Sequence, residues 1–250
     1  MEISYLPAGS TSLTNKEIET SIQSLAFTFK APLAVCDIET PLGLIADAVI
    51  GDTEMNLQKQ SGSETQTLIQ TLPLRDLSEI CTHNSGMVNI ARTETHYLVS
   101  FTVEVTNHGA LSLDDNAKLL LALSNIPVNT SVTIDGIDSP LNTALFVKYE
   151  SKFVNANVSK DFTIEAHYAI ALPTENIKAL ELSYVNGRNV KMSKREIQQV
   201  LRDSQDLIFN SVNKTVIGYD KFAILSVEDV VSCRVTLDQS TNFYLLKNSI

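Results

Sequence analysis

Short segments in which apolar and polar residues alternate recur along the whole chain, and this period of two constrains the fold most. In Tyr97–Thr106, every second residue is Tyr, Val or Phe, and the intervening positions are mostly Ser, Thr and Glu. Such alternation predicts a strand with one buried face. The same alternation predicts strands at Ser24–Lys30, Phe162–Ile170 and Val231–Leu237. Lys118–Leu123 is a continuous apolar run, which predicts a strand buried on both faces or covered by a neighbour. Further strands are predicted at Ser131–Ile134, Phe146–Phe153, Asp220–Val227 and Phe243–Leu246. Many short strands with few helical segments predict an all-β chain built from sandwiches.

The other segments are predicted from turn residues and composition. Leu74, Leu77 and Ile80 have helical spacing after Pro73, and Gly86 ends that helix. The remaining predictions are a loose N-terminal arm at residues 1–15, a short helical turn at Lys16–Ile22, two strands around a turn at Leu33–Ile50, and an exposed loop at Glu54–Thr67.

The segment Leu180–Leu201 is the best-defined local module. Leu180, Leu182 and Tyr184 alternate with polar residues, and the Asn-Gly pair at 186–187 predicts a two-residue hairpin turn. A short return strand follows. Ser193 and Glu196 have the spacing of a capping box, so we expect a helix to begin there. Its apolar face is Ile197, Val200 and Leu201.

Length, turn signals and charge predict two domains. The chain has 250 residues and is 44% hydrophobic, which suffices for one large core or two smaller ones. Asp135-Gly136 and Ser139-Pro140 are turn signals close together, so we place the boundary there: residues 1–139 form an acidic first domain with the N-terminal arm, and residues 140–250 a second. The first has 6 Lys and Arg against 17 Asp and Glu, the second 13 against 12. This acidic half argues against direct nucleic-acid binding.

No motif of catalysis stands out, so the sequence predicts a protein that is not an enzyme. The three Cys are far apart without metal-binding spacing, and none of the four His has a partner at such spacing. The best oxygen-ligand set is Asp114, Asp115, Asp135 and Asp138, which could hold a calcium ion as a structural divalent cation. Turn formation is the simpler interpretation of these aspartates. The N-terminus lacks the pattern of a signal peptide.

One basic cluster interrupts the chain's acidic character. Its members lie in and around the hairpin and helix: Arg188, Lys191, Lys194, Arg195 and Arg202. A solvated face is the simpler interpretation of such a cluster. The alternative is a contact with acidic neighbours or anionic lipid, so these residues are candidates for an interface.

The arrangement resembles a known family. The resemblance lies in three segments: Leu180–Leu201, Leu145–Glu150 with Phe153–Asn155, and Phe162–Leu172. They resemble the second domain of the double jelly-roll major capsid proteins of PM2-like, membrane-containing icosahedral bacteriophages. Leu111–Leu121 and Val132–Ile134 resemble the closing strands of a viral jelly roll. The resemblance covers about half of the chain and is one of pattern.

The resemblance implies a fold and a function. The fold would be two tandem jelly-roll β-sandwiches, and three copies would form a pseudo-hexagonal tile of an icosahedral virion shell. The implied partners are the chain itself, as a homotrimer and in neighbouring trimers, a vertex or penton protein, and an internal viral membrane or its proteins. The protein would be made in the host cytoplasm and would reside in the virion.

Two other functions remain open at this stage. A β-sandwich binding or adhesion module, such as a viral spike or vertex protein, would present an exposed ligand site. A hydrolase on a β scaffold would need a pocket in which a His or a carboxylate pair converges, and the histidines to test are His96, His108 and His167.

Overall fold

The computed structural model describes the chain except residues 38, 39, 41, 86, 87, 115, 205–207, 211–214, 218–220 and 250. It divides into two compact units, unit 1 from Met1–Lys148 with the extreme C-terminus and unit 2 from Tyr149–Asn248. The division falls nine residues after the boundary predicted from the sequence at residue 139. The chain is mainly β and its strands form several sheets, as the alternating pattern predicts.

As far as the structure describes it, unit 1 consists of short strands and two α-helices. The strands are β1 Glu2–Leu6, β2 Leu13–Ile18, β3 Ser24–Pro32, β4 Glu54–Ser61, β5 Glu64–Pro73, β6 Asn89–Arg92, β7 His96–Glu104, β8 Ala110–Leu111, β9 Ala117–Ser124, β10 Ser131–Ile137 and β11 Asn142–Thr143. The helices are α1 Leu42–Ile50 and α2 Leu74–Ser85, with a 3-10 turn at Leu33–Val35.

Two antiparallel sheets enclose the core of unit 1. One has the strand order β1-β10-β3-β7-β6 and the other β2-β9-β4-β5, while β8 and β11 form a short parallel pair. On the inner face of the first sheet, Phe101 stacks on Phe27 and Phe29 at centroid distances of 5.5 and 5.9 Å. These rings lie on neighbouring strands at every second position, so the alternation of the sequence creates the core directly.

Unit 2 is also a pair of sheets. Its elements are β12 Phe146–Val154, which begins at the boundary, β13 Ser159–Thr163, β14 Ala169–Pro173, β15 Ile177–Tyr184, β16 Asn189–Ser193, α3 Lys194–Ser204, β17 Ile208–Asn210, β18 Thr215–Ile217, β19 Phe222–Ser226, β20 Val230–Leu237 and β21 Thr241–Ser249. The sheets have the orders β12-β21-β14-β19 and β13-β20-β15-β16, and β17 pairs with β18. Their core includes Phe243, which meets Phe162 edge to face at 5.0 Å.

The two units share one strand connectivity. The order β1-β10-β3-β7 in unit 1 corresponds position by position to β12-β21-β14-β19 in unit 2. The order β2-β9-β4-β5 corresponds in the same way to β13-β20-β15-β16. In each unit a helix follows the last strand of the second sheet, α2 after β5 and α3 after β16. The duplication is one of connectivity, since the sequence shows no residue-level repeat.

Several predictions of local structure are confirmed. The helix after Pro73 is α2, and the strands predicted at Tyr97–Thr106 and Lys118–Leu123 are β7 and β9. In β9 buried and half-buried residues alternate, so the strand itself is confirmed but it is not fully buried on both faces.

The predictions at the start of the chain are wrong. Residues 1–15 are not an arm, because β1 pairs with β10 and buries Ile3 and Leu6. The helical turn predicted at Lys16–Ile22 is absent, since its first half belongs to β2, an edge strand paired with β9. A single buried side chain in the pairing region, Ile18, gives such a strand no alternating pattern.

Three further predictions fail for reasons of periodicity. Leu33–Ile50 ends in α1 rather than a strand, with Ile45, Val49 and Ile50 buried at helical spacing; a short apolar run does not distinguish the two. Glu54–Thr67 is not a loop but most of the β4–β5 hairpin. The strand predicted at Phe162–Ile170 is two strands, because the amide of His167 donates to the carbonyl of Ile164 in a turn.

Candidate interaction surface

The hairpin between β15 and β16 projects the first candidate residue, Arg188. The Tyr184 amide donates to the Arg188 carbonyl over 2.8 Å, and the Gly187 amide donates to the Tyr184 carbonyl over 2.9 Å. The predicted two-residue turn is therefore wrong, and the loop has three residues, Val185–Gly187. Within this fully described loop only Gly187 has a positive φ, +80°. A glycine in that conformation is typical of three-residue hairpin loops.

The helix α3 begins with the interaction that the sequence predicted. The carboxylate of Glu196 accepts hydrogen bonds from the Ser193 amide over 2.8 Å and from the Ser193 hydroxyl over 2.7 Å. The bonds from Ser193 lower the pKa of the Glu196 carboxyl. Ile197 is fully buried and anchors this turn to the core of unit 2. The side chains of Val200 and Leu201 lie outside the described residues.

Two of the candidates occupy the first turn of α3. Lys194 and Arg195 are its first two residues, where the partial positive charge of the helix N-terminus disfavours cations. The Lys194 ammonium donates to the Glu175 carbonyl. Arg195 is exposed. Their charge therefore does not stabilise the helix N-terminus.

A row of alternating charges crosses the outer face of the sheet β13-β20-β15-β16. Asp161, Arg234, Glu181 and Lys191 occupy directly opposite positions on the four neighbouring strands that this sheet comprises in the described chain. Arg234 donates to both Asp161 oxygens, over 2.8 and 3.1 Å, and lies 3.8 Å from Glu181. Lys191 donates to Glu181 over 2.6 Å. We call these four residues the charge row.

The charge row explains one of the five candidates. The hydrogen bonds from Arg234 lower the pKa of the Asp161 carboxyl, and the bond from Lys191 lowers that of the Glu181 carboxyl. Two cations and two anions alternate, so the row has no net charge. Lys191 is therefore paired within its own sheet. All four side chains are at least one-third exposed, so these ion pairs contribute little to folding.

Two arginines remain without such a partner. Arg188 and Arg195 are exposed, and in the described part of the chain no ion pair engages either of them. The side chain of Arg202 lies outside the described residues. Val185, at the tip of the same hairpin as Arg188, is 72% exposed. The cluster predicted from the sequence thus divides into a paired part, Lys191 and Lys194, and an unpaired part.

The four calcium candidates lie in different local settings. The Asp114 carbonyl accepts from the Ala117 amide, and the Asp138 carboxylate accepts from the Ser139 amide over 2.7 Å. Asp135 lies within β10, and Asp115 is outside the described residues. Over the described ranges no three His, Cys, Asp or Glu residues are grouped so that they could hold a metal ion. A calcium site involving these aspartates stays a prediction.

A partly buried charge cluster in unit 2 has no counterpart among the sequence predictions. Glu150 on β12 accepts from Lys247 over 2.7 Å and from Lys152 over 2.9 Å. His167 lies beside it, with 3.6 Å between its Nε2 and a Glu150 oxygen. Burial raises the pKa of the Glu150 carboxyl, but the two lysines outweigh it and lower the pKa to about 2. We call these four residues the Glu150 cluster.

The thiol of unit 2 is unsuited to nucleophilic chemistry. Cys233 lies in β20 with 2% of its surface exposed, and burial raises the pKa of its thiol to about 12. The reactive species of cysteine is the thiolate. At neutral pH this side chain therefore behaves as a small apolar core residue.

Comparison with known proteins gives a likeness of structure alone. No protein-family model and no curated protein matches the sequence. Among solved structures, the major capsid protein P2 from bacteriophage PM2 matches with a TM-score of 0.46 and 12% identity, over 99% of this chain and 96% of that one. A group B streptococcus pilus 2b backbone protein matches with a TM-score of 0.21 and 12% identity, over 95% and 85% of the two chains. Both TM-scores are below 0.5, and neither likeness assigns a function to this chain.

No described helix is both long and apolar enough to cross a bilayer.

Proposed function

We propose that this chain is a structural capsid protein whose two units are tandem jelly rolls. The observation that carries the proposal is the shared connectivity of the units. In each, eight of the described strands form two four-stranded groups, and most consecutive strands fall in opposite sheets. That is the strand arrangement of a jelly roll, in which two Greek keys close a sandwich. Capsid proteins are a common use of this fold, and the sequence pattern resembles one such family.

The duplication supports a particular assembly. One chain offers two similar units, so three chains around a threefold axis offer six, which approximates a hexagon. Closed cyclic symmetry makes such a trimer a stable building block. Neighbouring trimers, a vertex or penton protein and an internal viral membrane or its proteins would be its partners in the virion. The acidic character of residues 1–139 argues against direct contact with nucleic acid.

The exposed arginines are the proposed contact residues. Arg188 and Arg195 lie on unit 2, while unit 1 carries the excess of acidic residues. Charges of this kind at the rim of an interface steer association and select partners. Val185 adds an exposed apolar group beside Arg188. We therefore assign these residues to a contact between copies of the chain.

The experiment that tests the proposal is a measurement of mass in solution. Size-exclusion chromatography with light scattering should give a particle with three times the 27.5 kDa mass of the chain. Negative-stain electron microscopy of that fraction should then show hexagon-like outlines. A particle that stays monomeric at high concentration would contradict the proposal and favour a binding or adhesion module instead.

A further inference from the structure

One side chain of unit 2 is buried without the hydrogen bonds that its chemistry requires. His167 has 8% of its side-chain surface exposed, and neither ring nitrogen has a hydrogen-bond partner. Its backbone is fixed on both sides, because its own amide donates to Ile164 and the next amide, of Tyr168, donates to Leu246 on β21. The imidazole is therefore held at a fixed place in unit 2, with a Glu150 oxygen 3.6 Å from its Nε2.

The charges around His167 come from four segments of unit 2. β12 contributes Glu150 and Lys152, and β21 contributes Lys247. On its own segment Glu165 is exposed to solvent, and Glu228 is exposed in the turn beside Val227, whose amide donates to the Tyr168 carbonyl. The single nearby carboxylate within ion-pair distance of the ring, among the described residues, is Glu150, and two ammonium groups already occupy it.

We propose that His167 makes unit 2 acid-sensitive, acting as a switch that weakens the contact between β12 and its neighbours when it takes up a proton. Protonation would place a third positive charge on the Glu150 cluster, in a position almost closed to water. Nε2 lies 3.6 Å from the same Glu150 oxygen that already accepts from Lys152 over 2.9 Å. The proposal is independent of the capsid function, since it concerns the folding of unit 2 alone.

The stability of unit 2 depends on pH in the direction set by the lowered pKa of His167. Burial lowers the pKa of His167, Glu150 raises it in part, and Lys247 lowers it again, so that the pKa is below its ordinary value. The unfolded chain then binds the proton at a higher pH than the folded one. The contribution of His167 to stability is intact above the unfolded pKa of about 6.5 and declines as pH falls through it. Glu150, with a pKa of about 2, stays ionised throughout that range.

The direct test is a titration of the histidine resonances by NMR. In the wild-type protein the midpoint of His167 should lie below the ordinary histidine value of about 6.5. The variant Glu150→Gln should move the midpoint of His167 further down, since it removes the carboxylate that favours the imidazolium. A His167 midpoint at or above about 6.5 would overturn the proposal without any variant.

The second test compares stability at two pH values. The melting temperature of wild-type unit 2 should fall between pH 7.5 and 5.5 by roughly 4 °C more than that of His167→Gln, a shift that thermal unfolding of a domain of this size resolves. The matched control is His108→Gln, which should keep the full wild-type loss. Hydrogen exchange of β12 and β21, corrected for intrinsic rates, locates the effect. Equal losses in wild type and His167→Gln would refute the switch.

Discussion

Replacing Gly187 by alanine tests whether the hairpin loop is built as the structure shows it. Gly187 has φ +80°, and a Cβ atom placed there would meet nothing within 4 Å. The cost is therefore one of backbone conformation alone, about 1–2 kcal/mol for a residue with a side chain in the left-handed region. Alanine also restricts the unfolded chain, which returns about 0.4–1 kcal/mol. The net loss of stability in unit 2 should be about 1 kcal/mol.

Asparagine at the same position should recover much of that loss. Its side chain tolerates the left-handed region better than alanine does. The chain itself uses asparagine in this way, at Asn15, Asn125 and Asn157, with φ of +46°, +58° and +55°. The order of stability should therefore be wild type, then Gly187→Asn, then Gly187→Ala.

The buried thiols provide an assay that distinguishes the two units. Cys233 lies in unit 2 and Cys81 in unit 1, and both are buried. A brief pulse of a thiol reagent at increasing urea, followed by mass spectrometry of the two peptides, gives an unfolding midpoint for each unit. A loss of about 1 kcal/mol should move the Cys233 midpoint down by about 0.3–1 M.

A matched substitution in unit 1 controls the assay. Gly62, in the turn between β4 and β5, has φ +59° and equally open space around its missing side chain. Gly62→Ala should therefore lower the Cys81 midpoint by a similar amount. A Cys233 midpoint that Gly187→Ala leaves unchanged, or that Gly187→Asn lowers equally, would refute the left-handed turn.

The remaining predictions concern the surface of unit 2. Arg188→Glu and Arg195→Glu should each weaken self-association, measured by light scattering at increasing protein concentration. The control is Lys178→Glu, which makes the same change of charge elsewhere on the sheet and should have a smaller effect. Equal effects of the three variants would show that the two arginines are not in the interface. Lys160 lies on the edge strand β13 with its ammonium 5.3 Å from the ring centre of Phe162. Because charge on an edge strand hinders pairing with other chains, Lys160→Val should aggregate faster on incubation, and unchanged turbidity would contradict that role.

The sequence predicted elements whose signal is local. β7 alternates over its full length, and buried residues such as Tyr97 and Val99 alternate with half-buried ones. The capping box was equally predictable, because Ser193 and Glu196 contact each other over three residues. The β4–β5 hairpin was missed because most of its residues are polar. Only pairing with β9 on one side shows that Met55 and Leu57 are inward-facing positions of a strand.

The candidate surface was predictable in part. The basic residues of the hairpin and helix are close in sequence, so their grouping needed no tertiary information. Which of them have partners depends on the folded sheet, since Lys191 pairs with Glu181 across the β15–β16 ladder and Lys194 donates to the Glu175 carbonyl. The Glu150 cluster could not be predicted at all. Lys247 reaches Glu150 only because β21 pairs with β12, and the two strands are almost a hundred residues apart in the sequence.

The two units share their strand connectivity but differ in charge, and this difference in charge bears on how copies would fit together. Both units have the same strand order, yet residues 1–148 carry 7 Lys and Arg against 17 Asp and Glu, whereas residues 149–250 carry 12 of each. Alternation of apolar residues fixes the sandwich but leaves the outward positions unconstrained. In the proposed trimer, six units of similar shape would therefore alternate between acidic and neutral around the ring. An interface that joins unlike units of neighbouring copies avoids the repulsion between two acidic surfaces, which favours that arrangement over one that joins like with like.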